Sequence, residues 1–145
     1  WNMDGAANWS GHKLKIKADH YLPIDEDACP TGEIADVAGT IFDLRTGPEI
    51  DSKTHVFDNN FCASKERQTL RDVVWLTGTS GVTMTMATTE TGIQIFDGRS
   101  APSRQDAIAI EAQSWPDAPN HRSFPSINLK AGEAYAQTTS WRFEA

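Results

Sequence analysis

DVVWLTGTSGVTMTMATT, residues 72–89, is two β-prone runs joined by a short polar turn. Val, Thr and Trp favour a pleated, half-buried surface, and Ser80-Gly81 between the runs reads as a hairpin connection. In the second run Val82, Met84 and Met86 share one face, with Thr83 and Thr85 on the other, so the methionines read as core filler rather than metal ligands. Just beyond it, GIQIFDG (92–98) repeats the period-two pattern. Ile93 and Ile95 lie on one face, and Gln94 and Phe96 on the other. Gln94 gains meaning only if its face lines a cleft. Short strands with Gly-rich turns predict an all-β fold, a sandwich or a barrel.

The next strand is predicted in IAIEAQSWPDAPNHRSFPS, residues 108–126. Ile108 and Ile110 alternate with Ala109 and Glu111. Pro116, Pro119 and Pro125 then end any regular ladder, because each fixes φ and removes a donor. Glu111 therefore stands near the end of an apolar strand, before a stiff loop. The simpler reading is a solvent-facing strand residue; the functional one is an acid or base held in fixed geometry. YAQTTSWRF (135–143) predicts a final strand.

Upstream, residues 1–12 read as a loop, and KLKIK (13–17) as a half-exposed strand with its lysines in water. Residues 19–50 are broken by Pro and Gly throughout. They predict a surface course with short pairings, anchored by Tyr21, Leu22, Ile24, Val37, Ile41 and Phe42. Asp25-Glu26-Asp27 lacks the ligand spacing and glycine of a calcium loop and reads as a solvated turn. In THVFDNNFC (54–62), Asp58 lies between Phe57 and Phe61. A plain turn explains this; so does a sugar-binding cluster, in which aromatic faces and carboxylate and amide groups meet a pyranose.

Composition narrows the function classes. The 145 residues, 39% hydrophobic and 23% charged, suit one domain or a large part of one. A net charge of −7 argues against a nucleic-acid partner. No apolar run reaches membrane-span length, and no signal-peptide core opens the chain. Cys29 and Cys62 form no disulfide framework, which suits a reducing, cytoplasmic location. The four histidines lack zinc spacing, and the sequence has no C-x-x-C, nucleophile elbow, phosphate loop or dinucleotide fingerprint, so neither metal nor cofactor is expected. The chain opens Trp1-Asn2 without an initiator Met, which suggests a piece of a longer protein. Carboxylates on a β scaffold remain, suited to acid–base chemistry or carbohydrate binding.

EAQSWPDAPNHRSFPS (111–126) resembles the signature E-T-Q-x-x-P-D-x-x-N-x-x-x-F-P-S of the aldose 1-epimerase (galactose mutarotase) family. ADHYLPIDEDACPTGEIADVAGTIFDLR (18–45), FDNNF (57–61), TTETGIQIFDG (88–98) and KAGEAYAQTTSWRF (130–143) resemble further family segments in the same order. The resemblance implies an antiparallel β-sandwich, here partial, with residues 1–145 as the C-terminal part of the domain. It implies interconversion of the α and β anomers of an aldohexose such as galactose or glucose, without a cofactor. Glu111 matches the catalytic base, Asp58 the substrate-binding aspartate, and Gln94 a glutamine facing the sugar.

Two departures matter. Asn59 stands where many members have His. The family's acid histidine lies in an N-H-S/T-Y-F/W-N segment, and this chain begins at its W-N. The acid and the upstream sugar-binding Arg and His are thus absent, so the chain alone is expected to be inactive. A half-sandwich also leaves unpaired edges, so pairing with an N-terminal half or with a second copy is expected. The alternative is a non-catalytic carbohydrate-binding β-sandwich module.

Overall fold

A computed structural model describes residues 1–99 and 105–145. Two antiparallel sheets face each other across one core. The first has the order β1-β5-β6-β9: β1 is Lys13–Ile16, β5 Arg71–Thr77, β6 Thr83–Thr88 and β9 Thr139–Glu144. The second has the order β3-β2-β4-β7-β8: β2 is His20–Tyr21, β3 Ala35–Asp36, β4 Asp58–Cys62, β7 Gly92–Phe96 and β8 Ala109–Gln113. Apart from one 3-10 turn at Ala118–Asn120, every regular element among the described residues is a strand.

Period-two patterning built most of this. In β1 the lysines face out while Leu14 and Ile16 are buried, and Lys15 and Lys17 lie over the Trp75 ring at 5.1 and 5.2 Å. The β5–β6 hairpin forms as its sequence predicts. Gly81 supplies the positive φ of its turn, a region other residues rarely adopt. A register shift between Asp72 and Val74 lets Val73 and Val74 both be buried. Met84 and Met86 from the first sheet meet Phe61, Ile93, Ile95 and Ile110 from the second in a single buried cluster. Each such side chain contributes about 1.5–3 kcal/mol when fully buried, so this layer is the main source of stability.

Several segments differ from the reading by pattern. Residues 1–12 contain no strand, yet Trp9 is fully buried and its indole N–H donates to the Asp97 carbonyl at 3.2 Å. Asp58–Cys62 is a strand rather than a turn, because its ladder with β7 outweighs the weak strand preference of Asp and Asn. Ile41 stays exposed, and Phe42 does the anchoring by packing on Tyr21 with ring centroids 4.3 Å apart. The final strand starts at Thr139, since Tyr135 turns aside to donate its hydroxyl to the buried Glu90 at 3.0 Å. The Asp25 carboxylate accepts from the backbone N–H groups of Asp27 and Cys29, closing an exposed turn.

Asp4 fastens the N-terminal loop to the hairpin turn. Its carboxylate accepts from the Thr79 N–H at 2.8 Å, the Thr79 hydroxyl at 2.9 Å and the Ser80 N–H at 3.1 Å. Hydrogen bonds from Ser80, then Thr79, hold this carboxyl well below the usual carboxylate range. A depressed folded-state pKa stabilises the fold above the ordinary carboxylate pKa, near 4, and that stabilisation is lost as pH falls further. Asp4→Asn should therefore destabilise the protein at neutral pH, with the gap to wild type closing below about pH 4. Denaturant midpoints across pH check this; a gap that stays constant from neutral to acid would refute it.

Candidate functional site

The register of the second sheet decides which side chains meet. In β4, Phe61 points into the core opposite Ile93, so Asp58, Asn60 and Cys62 point to the outer face. In β7, Ile93 and Ile95 take the core side and leave Gln94 and Phe96 outward. In β8, Ile110 faces inward opposite Ile95, and Glu111 faces outward directly opposite Gln94. Glu111, Gln94 and Asp58 thus occupy one polar face on three successive strands. The Gln94 side-chain amide donates to Asp58 Oδ1 at 2.9 Å. That bond leaves the Gln94 carbonyl oxygen and the second Asp58 oxygen able to accept from hydroxyls.

Glu111 is exposed, on the outermost strand of the sheet. It borders a hollow of about 380 Å³ lined by Ile110, Ala112, Gln137, Thr139 and Trp141 as well. Asp58 and Gln94 do not line that hollow; they reach Glu111 across the sheet face. The spread from β4 to β8 is two strand spacings, about 10 Å.

Asn60 adds a fourth polar group that motif reading did not single out. It stands opposite Gln94, is 1% exposed, and neither side-chain amide atom has a hydrogen-bond partner among the described residues. Its space exists because position 92 is glycine: a Cβ there would meet Asn60 Oδ1 at 2.3 Å. Counting by two from Asp58 is the signal that would have found it. Asn59 instead points to the core side, opposite Ile95, and donates to the Leu22 carbonyl at 3.0 Å. The departure at position 59 therefore lies on the face away from Asp58, Gln94 and Glu111.

Cys62 shares the polar face, but burial pushes its thiol up to about 12, so it stays protonated and unreactive. No histidine stands beside Glu111. His12 is buried and accepts from the Met3 N–H at 2.8 Å; His55 stacks on Phe57; His121 packs on Phe124. His20 is on the same face but on β2, three strand spacings or about 14 Å from β8. Among the described residues, no group of three or more His, Cys, Asp or Glu could hold a metal ion, and no helix is long and apolar enough to cross a membrane.

Two facing antiparallel sheets agree with what comparison with known proteins shows. The chain belongs to the aldose 1-epimerase family, whose model matches residues 1–142. It is 36% identical to human galactose mutarotase over 99% of this chain and 47% of that protein. It is 31% identical to Escherichia coli aldose 1-epimerase over its full length and 49% of that protein. A crystal structure of a GalM/aldose epimerase homologue from C. elegans superposes with a TM-score of 0.88 at 26% identity, covering 99% of this chain and 49% of that one. A galactose 1-epimerase structure from Lactobacillus acidophilus shares the fold, with a TM-score of 0.67 at 20% identity over 94% of this chain and 45% of that one. The chain spans about half the length of the relatives it matches.

Proposed function

We propose that this chain carries the catalytic-base part of an aldose 1-epimerase that interconverts the anomers of an aldohexose such as galactose or glucose. The supporting observation is the shared face: Glu111 opposite Gln94, and Gln94 hydrogen-bonded to Asp58. Glu111 is the base that takes the proton from the O1 hydroxyl. An acid delivers a proton to the ring oxygen as the C1–O5 bond breaks, giving the open-chain aldehyde. Rotation about C1–C2 and the reverse transfers close the ring as the other anomer. Electrons stay paired within the sugar and no group is transferred, so the side chains need only move protons. Asp58 and Gln94 accept and donate hydrogen bonds to the sugar hydroxyls.

The exposed setting of Glu111 suits this role, since its carboxylate is open to substrate. The acid is the missing part. It comes from the N-terminal half of a complete domain, with residues 1–145 forming the C-terminal portion. Paired proton transfer loses on the order of 10² to 10⁴-fold when one partner is absent, so the isolated chain should have little or no mutarotase activity. Polarimetry on freshly dissolved α-galactose tests this. A rate near that of a full-length relative would overturn the missing-acid assignment.

A further inference from the structure

We infer that a hollow at the ends of β4, β7 and β8 is a second carbohydrate site, separate from the face that carries Glu111, and that it takes a neutral pyranose. Lys65, Glu66, Arg67, Thr91, Ser114 and Ser126 line a space of about 290 Å³ there. It adjoins a space of about 570 Å³ that shares Arg67, Ser114 and Ser126 and adds the apolar side chains of Ile127, Leu129, Ala134 and Tyr135. Alternation along the strands sets this hollow apart from the polar face. Thr91 lies two residues before the core-facing Ile93, and Ser114 two residues after Ala112, which packs against the core. Thr91 is three residues from Gln94, and Ser114 three from Glu111, about 10 Å of strand in each case.

The Thr91 hydroxyl is the observation that points to a ligand. Thr91 is 4% exposed, and its Oγ1 has no hydrogen-bond partner among the described residues. Its carbonyl, by contrast, accepts twice, from the Ser64 N–H at 3.1 Å and from the Trp115 indole N–H at 3.0 Å. The backbone is therefore fixed, and the hydroxyl is held at the wall of the hollow. Burying a hydroxyl without a partner is costly, and a polar group of a ligand in the hollow supplies the partner.

Charge and hydrogen-bonding capacity select the ligand. Arg67 is committed to the buried Glu90; its Nη1 donates to the Ala136 carbonyl at 2.7 Å, and its guanidinium lies 3.7 Å over the Tyr135 ring. Lys65 and Arg67 are matched in number by Glu66 and Glu90, so the hollow offers an oxyanion no net attraction. It offers instead a mixture of donors and acceptors. Ser126 Oγ accepts from the Asn128 N–H at 3.2 Å and keeps its own proton for a ligand. The Ser114 hydroxyl donates to Glu90 at 3.2 Å and keeps its lone pairs. Thr91 is able to do both. Sugar hydroxyls, which each donate and accept, match this set. The C–H face of a pyranose matches Ile127, Leu129 and Tyr135, all half-exposed beside it. A few fixed polar groups against an apolar wall are the usual composition of a small-molecule site.

Methyl β-galactopyranoside is the probe. It has no free O1 hydroxyl and cannot mutarotate, so the test is independent of the epimerase reading. Titrated into isotope-labelled protein, it should shift the amide resonances of Thr91, Ser114 and Ser126 until they saturate. Thr91→Val should weaken this binding by about three- to tenfold, the effect of one lost hydrogen bond, without altering the response of Gln94 or Glu111. In the absence of sugar, Thr91→Val should melt no lower than wild type, because the hydroxyl it removes has no partner in the protein. Ser126→Ala, at an exposed position on the rim, should weaken binding in the same way without touching the interior. Absence of saturable shifts at these amides, unchanged affinity in both variants, or a sugar-free Thr91→Val protein that melts well below wild type would overturn the proposal. Inorganic phosphate shifting the same amides where the glycoside does not would also overturn it, in favour of an anion site.

Discussion

Glu111→Gln, in a polypeptide that carries this chain with its upstream half, should lower the mutarotation rate by about 10² to 10⁴-fold. Galactose binding should change little. Glutamine keeps the shape and an accepting oxygen but cannot take the O1 proton, so ground-state contacts survive while the transition state loses its base. The site is exposed at a sheet edge, so the substitution should leave stability near wild type, and lost activity cannot be blamed on unfolding. Asp58→Ala should behave differently. It removes the acceptor for the Gln94 amide and one set of hydroxyl contacts, and should raise KM more than it lowers kcat. Polarimetry gives the rates and calorimetry the binding. Glu111→Gln with a rate within a few-fold of wild type would remove Glu111 from the mechanism. Sugar binding by a complete protein that never turns over would favour the carbohydrate-binding module instead.

The strands that could be read from sequence are those with one buried face and local evidence. Lys13, Lys15 and Lys17 alternate with Leu14 and Ile16; Ile93 and Ile95 frame Gln94; Ile108 and Ile110 precede Glu111. A period of two suffices there, because hydrophobic burial sets the face. It could not show that β7 pairs with β4 and β8 rather than with β6, its neighbour in sequence, since pairing between distant strands is decided by tertiary packing. The site inherits this limit. Pattern marks Glu111, Gln94 and Asp58 as candidates and resemblance to the family implies their roles, while their common face depends on a register that joins residues far apart in the chain. Asn59 shows the same limit: beside Asp58 in sequence, it belongs to the opposite face, and only the Asn59–Ile95 pairing shows it.

Trp9→Ala should destabilise the chain by about 3–5 kcal/mol, although no pattern in residues 1–12 marks the position. Trp9 is fully buried, belongs to the main core cluster, and packs on Phe57 with ring centroids 6.0 Å apart. Removing the indole opens a large cavity between the two sheets and strips the Asp97 carbonyl of its donor. Asp97 itself is buried and holds the segment at Phe57 by accepting from the Phe57 N–H at 3.0 Å, so loss of Trp9 loosens the entry to β4 and with it Asp58. Against a total stability of about 5–15 kcal/mol, the loss is large, and the melting temperature should fall by on the order of 10 °C. Trp9→Phe keeps most of the volume and loses mainly the hydrogen bond, so its cost should be smaller. Thermal and denaturant unfolding of the three proteins decides the matter. An alanine variant within about 1 kcal/mol of wild type would show that the N-terminal loop contributes little to the core and that Asp58 is held in place by the β4–β7 ladder alone.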